Sequence, residues 1–170
     1  MVEELESVSV RPATSSDVMT IAKIHTLSWQ QAYAGYVPAE YLNALTPENK
    51  APVWKQILDR DDTDVFIAES SGRVLGFASV GPAPDEDAEP GDRCLYTMYL
   101  DPEAWGLGVA KELMAAVEKS VSESVALTLW VFDKNERARK FYERHGFKRD
   151  GVEKLEEFTG EYLLELRYRK

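Results

Sequence analysis

The stretch "LDPEAWGLGVAKELM" (residues 100–114) constrains this chain more than any other. A β-like run passes through Pro102, two glycines stand two apart, and the pattern turns helical. Gly106 and Gly108 let the backbone approach a ligand closely. The amides that open the following helix have no intrahelical partners, and the helix dipole stands behind them. Together they predict an anion site. Two phosphate motifs do not fit. A nucleotide P-loop needs Gly-Lys-Ser/Thr, whereas Gly108 is followed by Val-Ala-Lys. A dinucleotide fingerprint needs a third glycine where Lys111 stands. By itself, a Gly-x-Gly helix start is as often a tight strand-to-helix connection.

The flanking pattern is β, helices, ββ, β, α, β, α, ββ. "VSVRPAT" (8–14) reads as a first strand ending at Pro12. Thr14 and Asp17 form a capping box, and Val18, Ile21, Ala22, His25, Trp29 and Tyr33 share one helix face. "PAEYLNAL" and "ENKAPVWKQILDR" read as short helices, the second interrupted by Pro52. "DVFIAES" and "RVLGFASVG" flank Ser-Gly as a hairpin, and 82–92 is a Pro-rich acidic loop read as solvated. Strands follow at 93–100 and 125–132, with helices from Gly108 to about Ser122 and over 135–146. Two last strands join at Thr159-Gly160. This order predicts a mixed sheet with helices on both faces, in a single domain over 1–170.

Charge and cysteine usage narrow the function. A net charge of −10 argues against a nucleic-acid surface, which needs summed Lys/Arg contacts to phosphates; it is compatible with a cationic substrate, although general solubility is the first reading of it. One cysteine and two histidines leave no disulfide and no expected metal site. The opening "MVEELESVSV" lacks the regions of a signal peptide and no apolar run reaches membrane-spanning length, so a cytoplasmic protein is expected, as monomer or homodimer.

"LYTMYLDPEAWGLGVAKELM" resembles motif A of the GNAT N-acetyltransferases: a strand, a Pro, then Gln/Arg-x-x-Gly-x-Gly/Ala entering a long helix. "LTLWVFDKNERARKFYERHGF" (127–147) resembles motif B, with Asn135, Ala138, Phe141-Tyr142 and Gly146-Phe147 in the family's spacing, and "VRPATSSD" resembles its usual opening. The resemblance implies an α/β fold with a mostly antiparallel central sheet, a splayed parallel strand pair and helices on both faces. Acetyl-CoA is implied between strands 93–100 and 125–132. Its pyrophosphate would lie on the segment Trp105, Gly106, Leu107, Gly108, Val109, Ala110 and Lys111, and its pantetheine would pair with the backbone of Met98 and Leu100 like an added strand. Asn135, Ala138 and Lys140 complete the implied cofactor surface. Trp105 departs from the family's Gln or Arg and brings no charge; Lys111, Lys134, Arg137 or Lys140 can supply it, and the basic cluster 134–144 suits the cofactor's 3′-phosphate.

Acetyl transfer to an amine needs a polarised thioester carbonyl and a proton for the departing sulfur. Tyr142 matches the family's frequent general acid, and the amide of Met98 or Tyr99 is the natural carbonyl polariser. Phe141 reads as a core aromatic. No carboxylate stands in "RCLYTMYL", so no general base is assigned, and Cys94 reads as an inert buried thiol. Trp29, Tyr33 and Tyr36 form the candidate acceptor wall, able to hold a cation against their faces, with packing of Trp29 and Tyr33 between helix and sheet as the equal alternative. The reading is direct acetyl transfer to a small-molecule primary amine, with a polyamine-like cation favoured. A peptide or protein amine and a non-catalytic acetyl-CoA sensor are the alternatives.

Overall fold

Ser71 and Gly72 both take positive φ (52° and 77°), the pair a tight right-twisting hairpin needs, and Thr159 and Gly160 repeat it (47° and 89°). These turns set two of the strand pairs in a computed structural model that describes residues 7–170. Residues 1–6, part of the stretch read above for a leader, lie outside the described residues.

The strands are β1 (Ser9–Pro12), β2 (Asp64–Ser70), β3 (Arg73–Pro82), β4 (Arg93–Leu100), β5 (Leu127–Phe132), β6 (Lys148–Phe158) and β7 (Glu161–Arg169). They form one sheet in the order β1-β2-β3-β4-β5-β7-β6. Every neighbouring pair is antiparallel except β4–β5. The expected mixed, mostly antiparallel sheet is therefore the one observed. The helices are α1 (Val18–Ala32), α2 (Ala39–Ala44), α3 (Pro47–Leu58), α4 (Val109–Ser120) and α5 (Glu136–Arg144). Leu113, Met114 and Val117 of α4 are buried with Ala78, Val80, Leu129 and Tyr168 of the sheet, and Phe141 and Tyr142 of α5 pack against them. On the opposite face Ile21 and Ile24 of α1 and Trp54 of α3 meet Val65, Ile67 and Phe77.

Local chemistry explains the element ends. Asp17 accepts from the amide of Thr14 at 2.7 Å, the capping contact expected from the sequence, and its carboxylate is forked by Arg11 at 2.9 Å twice. Thr46 and Asn49 form a second box, at 3.2 and 3.1 Å. Helix α3 runs through Pro52, contrary to the expected interruption. Only one turn lies before the proline, so the lost bond to the Glu48 carbonyl falls near the helix start, and burial of Trp54 holds the rest in place. Helix α4 begins at Val109, with Gly108 outside it as a left-handed cap (φ 81°).

The irregularity that shapes the site is in β4. Ser79 pairs with Thr97 and Val80 with Leu95, so Tyr96 is an extra residue, a β-bulge. Beyond it the parallel neighbours part. The β4–β5 ladder has three pairs, Arg93–Leu127, Cys94–Thr128 and Leu95–Leu129. Asp92 fastens the joined end by accepting from the Ala126 amide at 3.0 Å. Tyr96 lies over Gly81 and its hydroxyl donates to the Pro82 carbonyl. A Cβ at Gly81 would stand 2.6 Å from that ring, so the bulge requires a bare residue there.

Candidate active site

The parted strands open a cleft of about 800 Å³. On the β4 side it is lined by Met98, Tyr99 and Leu100, and at one mouth by Trp105, Gly106, Gly108, Val109, Ala110 and Lys111. Asn135, Ala138, Phe141 and Tyr142 of the α5 segment close the other side. Two of the sequence candidates stand apart: Leu107 and Lys140 are exposed and do not line the cleft. Asn135 caps α5, accepting from the Ala138 amide at 3.2 Å. Phe141, expected in the core, is half-buried and forms cleft wall, because α5 faces the gap left by the splay rather than a closed sheet.

Helix α4 presents its first-turn amides at the mouth, behind Gly106 and Gly108, both at φ 81°. A Cβ at either glycine would meet nothing within 4 Å, so there is open room against these donors. The charge that Trp105 lacks comes from the next helix. The Arg137 guanidinium lies 4.4 Å from the Trp105 ring centroid, a cation–π contact at the lip.

Deeper in, the cleft meets the face covered by α1 and α2. Trp29 and Tyr33 line it, packed edge-on at 4.7 Å, with Phe132 edge-on to Tyr33 at 5.1 Å. Tyr36 lies behind them against Tyr33 and Phe132 and borders a separate depression between α1 and α2, so the structure does not bring it to the cleft. Burial pushes the Tyr142 hydroxyl well above its ordinary range and that of Tyr99 up to about 12, so both phenols hold their protons at neutral pH. His25 stacks on Tyr99 at 5.3 Å, and its Nδ1 accepts from Trp54 Nε1 at 3.0 Å. Burial, followed by the charge of Lys50, lowers its pKa to about 4, so the imidazole is neutral. Cys94 is buried with its thiol raised to about 11, the inert thiol expected from the sequence.

Two features escaped the sequence. Glu165 of β7, opposite Phe132, lines the cleft and is 9% exposed. Its Oε2 is buried without a hydrogen bond, although Lys154 Nζ stands 3.4 Å away. The acidic loop, read as solvated, is held to the sheet by Arg167. That side chain is 4% exposed and donates to both Asp87 oxygens and to Asp150, each at 2.6 Å. Trp130 Nε1 adds a bond to Asp85 at 3.2 Å.

A bulged central strand, a parallel ladder that stops after three pairs and an amide-lined turn at the gap define an acyl-transferring class of protein. The chain belongs to the acetyltransferase (GNAT) family, whose model matches residues 22–147. Members are acetyl-CoA-dependent N-acetyltransferases, and this chain is one. The uncharacterized N-acetyltransferase YuaI of Bacillus subtilis (strain 168) is 34% identical over 131 residues, which cover 75% of this chain and 73% of that one. The spermidine N(1)-acetyltransferase of Thermoplasma acidophilum is 25% identical over 170 residues, covering 95% and 98%. Among solved structures, the PaiA N-acetyltransferase of Thermoplasma acidophilum in complex with coenzyme A superposes with a TM-score of 0.76 at 20% identity, covering 94% and 98%. Among the described residues no helix is long and apolar enough to cross a membrane.

Acetyl-CoA supplies the acetyl group as a thioester. The residues present fit it: open space against the α4 amides suits a pyrophosphate, and the splayed edge of β4 beyond Leu95 leaves backbone groups for an extended amide chain.

Proposed function

We propose that this chain acetylates a primary amine of a small, polyamine-like cation by direct transfer from acetyl-CoA. The carrying observation is the asymmetry of the cleft. Its outer mouth offers amides and Arg137 for an anion, while its inner end offers a cation Trp29, Tyr33 and the two carboxylates of Glu156 and Glu165, against the one ammonium of Lys154. The two substrates thus enter environments of opposite electrostatic preference and meet at the parted strands. The likeness to a spermidine acetyltransferase along nearly the whole chain supports the same acceptor class.

In this reading the amides from Gly106 to Lys111 and the Arg137 guanidinium hold phosphate, and the backbone of Met98 and Leu100 orients the pantetheine. The amide of Met98 or Tyr99 polarises the carbonyl, and Tyr142 gives its proton to the departing sulfur. Its raised pKa keeps that proton available throughout the neutral range. The test is thiol release from acetyl-CoA across polyamines, monoamines, amino acids and peptides. Release with polyamines above all others is expected. Release with peptides alone would transfer the reading to a protein acetyltransferase, and silence with every amine would point to a sensor.

A further inference from the structure

We infer that Glu165 receives the acceptor's ammonium group and takes the proton that frees its lone pair. The inference rests on the amine-acetylation reading above and names the residue that the central strand fails to provide.

The argument begins with position. Glu165 pairs with Phe132 on one side and Lys154 on the other, which places the three side chains on the sheet face that carries Trp29 and Tyr33. Phe132 ends β5, the strand that has swung away from β4, so the carboxyl group stands beside the gap where the cleft passes through the sheet. One of its oxygens is buried yet accepts no hydrogen bond. Its burial is offset only by the Lys154 ammonium 3.4 Å away, which makes no hydrogen bond to it, and an acceptor ammonium brings three further donors and the opposite charge. Trp29, Tyr33 and Tyr99 line the same cleft and offer aromatic surface to a cation.

The charged and titratable groups around Glu165 tune it for proton transfer. From β6, Glu156 and Lys154 face it with opposite signs; from β4, Tyr99 feels its charge; from α2, Tyr41 faces Glu156. Lys154 is shared, lying 4.3 Å over the Trp130 ring while it approaches Glu165. Burial first, then Glu156, raises the Glu165 pKa to about 7, against the pull of Lys154. A base poised there is half ionised near neutrality and, once protonated, can release the proton to solvent. Protons balance over the reaction. The ammonium loses one to Glu165 and a second as the N–C bond forms, while the C–S bond breaks and the sulfur takes one from Tyr142, which the second replaces.

The test follows thiol release against pH for the wild type and for Glu165→Gln, with whichever panel amine the wild type acetylates. The wild-type kcat/KM should fall below a midpoint near 7, far from the amine's own titration near 10. Glu165→Gln should lose about 10²–10⁴-fold in kcat/KM and show no such limb. Coenzyme A affinity and the melting temperature report whether the variant has kept its fold. Glu156→Gln, which removes a like charge, should move the limb to lower pH. A wild-type limb near 7 that persists in Glu165→Gln, at unreduced turnover, overturns the assignment and leaves amine acetylation standing. Silence of the wild type with every amine overturns the amine reading itself. Should the Gln variant fail to fold, a carbon-13 titration of the wild-type Glu165 carboxyl decides: a midpoint near 7 supports the role, and one near 4 overturns it.

Discussion

The Arg137 guanidinium rests 4.4 Å above the ring of Trp105, joining the start of α5 to the turn before α4. A tryptophan at a position where the family carries Gln or Arg thus holds a cation instead of being one. Arg137→Ala should weaken coenzyme A binding by about 10–100-fold, the worth of one charge-assisted hydrogen bond. Trp105→Ala keeps the charge but releases it, and should cost only a few-fold. Calorimetry at two salt concentrations checks both, and full coenzyme A affinity in Trp105→Ala would refute a supporting role for the ring.

Tyr142→Phe keeps the ring against Phe141 and Phe147 and removes only the hydroxyl. The turnover number should fall by about 10²–10⁴-fold with coenzyme A affinity unchanged. An effect confined to KM would make the hydroxyl a positioning contact. Full turnover would return the proton to solvent, which is chemically reasonable for a thiol with a pKa of about 8.5.

How far these residues could be read in advance depended on the range of their signals. Hairpin turns, helix caps and the Gly-x-Gly start are written within a few neighbouring residues, and each appears where its local chemistry requires. The charged residues of β7 were opaque for a definite reason. In "EYLLELRYR" the apolar set Tyr162, Leu164, Leu166 and Tyr168 alternates with Glu161, Leu163, Glu165, Arg167 and Arg169, a set polar at every position but Leu163, which reads as a solvent face. That face is covered by the acidic loop and by the α1–α2 region, so Glu165 and Arg167 are buried. The 80-residue separation of Arg167 from Asp87 leaves no local trace. The bulge at Tyr96 was equally hidden, since period 2 simply continues through "RCLYTMYL" unless the partner's register is known.

His25 should give the fold a measurable acid sensitivity. Its pKa is about 4 in the folded protein and 6.5 as a free side chain, so between these values the unfolded chain binds more protons. Stability should therefore drop as pH falls from 6.5 towards 4, by up to roughly 3 kcal/mol. Glu165 acts in the opposite direction over 4.5 to 7, because its folded pKa is raised. His25→Phe isolates the imidazole: it should melt lower at pH 7, having left Trp54 Nε1 without its acceptor, and lose the His25 part of the slope. An unchanged difference between melting curves at pH 6.5 and 4.5 would contradict this.

Arg167→Leu should destabilise the protein by about 3 kcal/mol, since it leaves Asp150 with only the longer 3.4 Å contact to Arg169 and Asp85 with only the Trp130 Nε1–H to offset its charge. The loop over 83–92 should become a site of proteolytic cutting in the variant and resist in the wild type. Arg167→Lys, which keeps charge but not the fork onto Asp87, should recover only part of the loss.

The insertion of β7 between β5 and β6 has a consequence for the birth of the molecule. Synthesis delivers the strands one by one, yet the seat beside β5 belongs to the strand that comes seventh in chain order. A nascent chain that has emerged only through β6 already has the Gly-x-Gly turn with α4 and α5. It still has a bare edge on β5, and neither Glu165 nor Arg167 exists to finish the inner chamber. The amide-lined mouth of the cleft can therefore be assembled before its inner end. Until β7 arrives, the exposed edge is open to pairing with a neighbouring polypeptide on a crowded ribosome.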